Sequence, residues 1–166
     1  MSVRVQPTNT HLIEVRLRPE HSDAEGAAAL ALLQAQGLSA LKDSRVSRLF
    51  EIKGPISANQ VLQATKDLLC DAVTQEFRVI APTPAPMNGM NSWRVEVWLK
   101  PTVTDPVGET VREAIADMSL PRPDAVRCAM VYRLSGRTTK VQLEKAVLKT
   151  LANPLIHHAV VTEAHP

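Results

Sequence analysis

Aromatic residues are scarce: two Trp, two Phe and one Tyr in 166 residues. RNA-binding modules of this size stack bases on strand aromatics set in a basic sheet, so five rings in no recognisable pattern argue against that class. Cysteine is nearly absent too. Cys70 and Cys128 do not fall at matching points of the repeat described below, which excludes a thiol site shared by its two copies; free, mostly buried thiols in a reducing compartment are expected. No stretch of 18 apolar residues occurs, and the polar opening MSVRVQPTNT does not read as a signal peptide. The expectation is a cytoplasmic protein without a membrane span.

Charge of one sign is lacking as well. Residues 1–80 hold nine basic and nine acidic residues, and residues 81–166 hold ten and eight, a net of +2 without any basic run. Nucleic acid and anionic membranes are therefore poor partners. Neither a phosphate-binding G-x-x-x-x-G-K nor a G-x-G-x-x-G is present. His11, His21 and His165 are scattered without ligand spacing, and the adjacent His157 and His158 would point to opposite faces of a strand. No catalytic, cofactor-binding or metal site is expected.

What the chain does have is an echo of itself. Shifted by 82 positions, Ile13–Ile80 falls without a gap on the segment from Val95 onward. Matched pairs include Glu14/Glu96, Val15/Val97, Asp23/Asp105, Gly26/Gly108, Arg45/Arg127, Gly54/Gly136 and Gln60/Gln142. Such a match through every element predicts two copies of one unit of about 70 residues, each marginal alone. The expected layout is repeat 1 over 1–80, a proline-rich linker over 81–92 and repeat 2 over 93–166, with the copies packed as an internal pseudo-dimer.

Each copy reads in the same order. Ile13, Val15, Leu17 and Val95, Val97, Leu99 alternate as half-buried strands halted by Pro19 and Pro101. Ser22-Asp23-Ala24-Glu25 reads as a capping box, and Thr104-Asp105-Pro106 as a cap followed by a first-turn proline. Both helices are expected to end near Gly37-Leu38 and Ser119-Leu120. A β region follows (45–52 and 126–134), one bent strand or two short ones. Ser57-x-x-Gln60 and Thr139-x-x-Gln142 then open a second helix. Its stripe is Val61, Leu62, Thr65, Leu68, Leu69 in one copy and Val141, Leu143, Val147, Leu151 in the other. A last strand closes each copy. The predicted fold class is α+β: two ferredoxin-like βαββαβ repeats with antiparallel sheets.

The second copy carries a family resemblance. Asp105-Pro106-Val107-Gly108, Val126-Arg127 and Leu151-Ala152-Asn153-Pro154, in this order within VEVWLKPTVTDPVGETV…VRCAMVYRL…LKTLANPLIHHAVV, resemble the PurS subunit of phosphoribosylformylglycinamidine synthase. The first copy is looser, with Ala24 for the proline and Cys70-Asp71-Ala72 for Ala-Asn-Pro. The resemblance implies a non-catalytic, cofactor-free accessory subunit of a glutamine-dependent, ATP-using ligase in purine biosynthesis. Its partners would be the large synthetase subunit and the glutaminase subunit, and further self-association is left open. Candidate partner-interface residues are Arg45, Arg127, Asp105, Asn153 and Pro154. For the two arginines the alternatives are a carboxylate partner across the pseudo-two-fold or a solvated strand face. The competing functional class is a small-molecule-binding regulatory module of ACT-like type.

Overall fold

The computed structural model describes residues 8–81 and 91–163; His165 and nearly all of the linker 81–92 lie outside the described residues. The first half runs β1 (Asn9–Leu17), α1 (Ala24–Ala35), β2 (Leu41–Gly54), α2 (Ala58–Ala64) with a π-helical turn (Thr65–Leu69), and β3 (Gln75–Ile80). The second runs β4 (Ser92–Leu99), α3 (Pro106–Asp117), β5 (Ala125–Gly136), α4 (Lys140–Thr150) and β6 (His157–Glu163).

The fold is α+β, with every strand pairing antiparallel. The β region between the helices, legible as one strand or two, is a single long strand in each half. In β2 the stretch from Ser47 onward pairs with both β1 and β5, whereas the stretch before it pairs with β5 alone. One strand thus fills the place of the two middle strands of βαββαβ. The six strands form one continuous sheet in the order β3-β1-β2-β5-β4-β6, so the halves join edge to edge through β2 and β5 instead of stacking one sheet on another.

The register makes that junction two-fold. Arg48 stands opposite Met130, its own counterpart 82 positions on. Ser47–Val131 and Leu49–Ala129 lie to either side and exchange places across the axis. Pairing of β1 with β2 and β3 is repeated in kind by β4 with β5 and β6.

Local chemistry sets each helix on this sheet. The N-cap of α1 is Asp23, not Ser22, and it works as Asp105 does for α3. One oxygen of Asp23 accepts from the Gly26 amide at 2.7 Å, and the other accepts from the Val46 amide of β2 at 2.7 Å. Asp105 takes the Gly108 amide at 2.9 Å and the Cys128 amide of β5 at 2.8 Å. A serine has one oxygen and cannot serve helix and strand at once, which is why the aspartate takes the cap. Glycine three residues on is demanded by the same closeness: a Cβ at Gly26 would stand 2.3 Å from the Ser44 carbonyl, and one at Gly108 2.1 Å from that of Val126. In the second helices, Ser57 and Gln60 complete a full capping box, while Thr139 makes its half by accepting from the Gln142 amide at 3.2 Å.

Helices cover one face of the sheet, and neither half encloses its own core. Leu33, Leu38 and Leu41 from the first half pack with Trp93, Val95, Leu143 and Val147 from the second. Reciprocally, Ile115 and Val126 of the second half join Ile13, Phe50, Ile52 and Val61 of the first. Burying each such aliphatic side chain contributes about 1.5–3 kcal/mol, so a large share of each core belongs to both halves. Two stripe residues read as inward are not: Val141 is 59% exposed and Leu68 43%. Val141 sits in the first turn of α4. Leu68 lies in the π-helical turn, whose wider winding carries it off the buried stripe.

Candidate functional site

Side chains alternate across a strand, so the residues between Ile13, Val15, Val95 and Val97 project from the face without helices. An apolar patch of Leu49, Trp98, Ala129 and Val131 lies there, with Leu12 and Ile80 against it. Beside it is Glu14, fully buried at 0% exposure. A buried carboxylate needs partners, and this one has four. Ser47 donates its hydroxyl at 2.6 Å, Arg78 its Nη2 at 3.0 Å, Arg94 its Nη1 at 3.1 Å, and Arg133 its Nη2 at 3.2 Å. Burial alone would raise the Glu14 carboxyl. The Ser47 hydrogen bond and the charges of Arg94 and Arg133 outweigh it and hold the group below the ordinary carboxylate range.

These groups come from five strands, β1 to β5, and converge only because β2 and β5 join the halves. Over them opens a groove of about 820 Å³ lined by Arg16, Arg45, Arg78, Arg94, Arg133 and Ser47 among others. Arg16 is held by Glu76 at 2.7 Å at its side.

The cluster exists on one side of the axis only. The counterparts of Glu14, Ser47, Arg78, Arg94 and Arg133 under the 82-residue shift are Glu96, Ala129, Val160, Leu12 and Glu51. Among the described residues Glu96 therefore has no such cage, only Arg94 at 4.0 Å; burial pushes its carboxyl up, with Arg94 pulling the other way. Sequence reasoning missed this site. Its signal is the alternation Glu14-x-Arg16, Arg94-x-Glu96 and Arg127…Arg133 with uncharged, mostly apolar residues between the charges, which marks a charged second face rather than solvent exposure.

The residues singled out from sequence are dispersed. Arg45 donates to the carbonyls of His21 at 3.0 Å and Arg18 at 3.3 Å, with Asp23 4.0 Å away in its own half, and its cross-strand neighbour is Arg133. Arg127 stands opposite Glu51 of the other half, 3.6 Å from its carboxylate, and lies over the Trp98 ring at 4.8 Å. Both oxygens of Asp105 are taken by the two amides named above. Asn153 and Pro154 begin the turn between α4 and β6. There the Asn153 side chain accepts from the Leu155 amide at 3.0 Å, and its own amide donates to His157 Nδ1 at 2.8 Å. The matching turn keeps this geometry with other residues: Asp71 accepts from the Val73 amide at 2.9 Å and donates to Gln75 at 2.9 Å. Both turns end in an exposed apolar tip, Val73 at 79% and Leu155 at 81%.

Both thiols belong to the helix-covered face. Burial, with the nearby Asp105 charge, pushes Cys128 up to about 11, and burial also raises Cys70. A thiol so protonated is a poor nucleophile. Among the described residues no helix is long and apolar enough to cross a membrane.

No curated protein matches the chain. Residues 92–164, however, match the family model described as PurS, phosphoribosylformylglycinamidine (FGAM) synthase. The matched span takes in β4, α3, β5, α4 and β6, with the Asp105–Gly108 helix clamp and the Asn153-Pro154 turn inside it. The second half of the chain is thus a PurS-like domain.

Proposed function

We propose that this chain is a non-catalytic accessory subunit of a phosphoribosylformylglycinamidine synthase, with two PurS-type units joined in one polypeptide. The observation that carries this reading is the family match over residues 92–164, together with a first half that repeats its strand register, helix clamp and turn. Two such units paired through β2 and β5 form a rigid plate with two outward turns, at Asp71–Thr74 and Asn153–Ile156. A plate of this kind suits a brace between a glutaminase subunit and a large synthetase subunit. Holding the two together lets ammonia released at one reach the other without entering solvent. The exposed Leu155 and Val73 tips are the contacts assigned to partners, with Pro154 stiffening the first of them.

Co-purification with both catalytic subunits, followed by assay of the assembled complex, tests this. Glutamine-dependent synthesis is expected to require the chain, while synthesis from added ammonium is expected to proceed without it. A folded chain that binds neither subunit would sink the proposal.

A further inference from the structure

We propose that the groove above Glu14 is a binding site for a small phosphate-bearing anion, held by Arg78, Arg94 and Arg133. This does not rest on the accessory-subunit reading and concerns the isolated chain. Three guanidiniums share the Glu14 carboxylate, and Glu96, 4.0 Å from Arg94, is the second acid beside them, which leaves a surplus of one positive charge and many unused N–H donors. Arg133 Nε is buried and has no hydrogen-bond partner among the described residues. A buried donor left unpaired is destabilising; rotation of the Arg133 guanidinium toward a bound anion would pair it.

The cage is also not something the fold requires. At the symmetry-related place the same sheet closes with Leu12, Glu51, Ala129 and Val160, and Glu96 stands uncaged. A structural cluster serving only the sheet would be expected on both sides of the axis. The remaining two arginines of the groove are already engaged, Arg16 by Glu76 and Arg45 by backbone carbonyls beside Asp23. Asp43 sits at the wall and limits the charge the site will take. The surplus is therefore confined to the floor around Glu14.

Shape and stiffness point to a small ligand. The volume of about 820 Å³ falls within the range of small-molecule sites. The Arg94 side chain is only 13% exposed and Arg133 28%, so little rotamer freedom remains to be lost on binding. Guanidinium forks match phosphate oxygens in pairs. The confined charge and the burial of the lining aromatic, Trp93, disfavour a polynucleotide.

Calorimetric titration of the full chain with inorganic phosphate, pyrophosphate and glycerol 3-phosphate at low ionic strength tests the site. Saturable binding at or below about 1 mM is expected. Arg78, half exposed at the rim, can be changed without unmaking the cage: Arg78→Gln is expected to weaken binding at least about tenfold. The distant Arg122→Gln, which removes a surface partner of Glu113, should leave it unchanged. Glycerol 3-phosphate binding more tightly than inorganic phosphate would place an organic phosphomonoester in the groove; the reverse order would favour the free ion. Absence of binding by the folded wild type, or equal weakening in both variants, would overturn the proposal. So would binding of hexaglutamate with no binding of the three phosphates, which would make the groove an acidic-peptide site.

Discussion

Arg48 pairs across the centre of the sheet with Met130, the residue it becomes after an 82-position shift. Because the axis runs through this pair, each strand and helix on one side has a counterpart on the other, and each core draws on both halves. Fragments 1–81 and 91–166 are therefore expected to fail to fold as independent monomers. Mixed, they should recover the far-ultraviolet circular dichroism of the intact chain and elute together as a one-to-one complex. A fragment that melts cooperatively as a monomer would contradict the shared cores.

Gly108→Ala places a methyl group 2.1 Å from the Val126 carbonyl, a clash with backbone that no rotamer relieves. A loss of about 3 kcal/mol or more is expected, seen as a fall in Tm of roughly 6–12 °C for a chain of this size. Gly26→Ala should behave alike, since its methyl meets the Ser44 carbonyl. Alanine at Gly37, where nothing lies within 4 Å of the new methyl, meets only the strain of a positive φ of 95°, and its cost should be about 1 kcal/mol.

Asp105→Ala removes a helix cap and strands the Cys128 amide together. The expected cost is about 2–4 kcal/mol from the two losses combined. Asp105→Ser should restore the cap alone and recover part of it. Equal stability of the serine and alanine variants would show that the strand bond, not the cap, carries the effect.

Glu14 imposes a pH dependence. Its carboxyl is held below the range it would have in the unfolded chain, so its contribution is full above about pH 4.3 and is lost as pH falls through the lower folded value. Wild-type Tm should therefore drop more steeply than that of Glu14→Gln as pH is lowered below 4.3 or so. At pH 7 the variant, with three guanidiniums deprived of their carboxylate, should be about 3–5 kcal/mol less stable. Parallel profiles for the two proteins would deny Glu14 this role.

Cys128 offers a probe of the clamp. With its thiol at about 11 rather than 9.0, it should react with iodoacetamide roughly 100-fold more slowly than a model thiol at pH 8. Native-state labelling followed by mass spectrometry measures this; rapid labelling would mean that the α3–β5 contact opens readily.

The exposed turns at Asp71–Thr74 and Asn153–Ile156 offer a test of which half meets which partner. Leu155→Asp and Val73→Asp alter solvent-exposed tips and should each change stability by no more than about 0.5 kcal/mol. If the turns meet the catalytic subunits, each change should weaken capture of one of them at least about tenfold, and pull-down with each partner separately tells which.

Much of this fold is legible in the chain itself. Alternation at Ile13/Val15 and Val95/Val97, the Ser57–Gln60 box and the glycine turns act within a few residues, so a local reading finds them. Asp23 was masked because Ser22 offers an equally good local cap. Only the distant Val46 amide decides between them, and that contact is tertiary. The Glu14 cage was hidden for a stronger reason: its members lie 33 to 119 positions from Glu14, and no spacing rule links them. Asp71-Ala72 differs in residue from Asn153-Pro154, yet both make the same turn. The real divergence is on the open face, in single charged residues that the repeat alignment passes over.

A symmetric homodimer has no front or back: whatever docks on one half docks equally on the other, and it takes up two equivalents. With an arginine cage on one side of the axis and an uncaged Glu96 on the other, this plate acquires a direction. Anything that recognises the cage should bind once per chain and in a single orientation, so that an assembly built on it would be handed rather than two-fold.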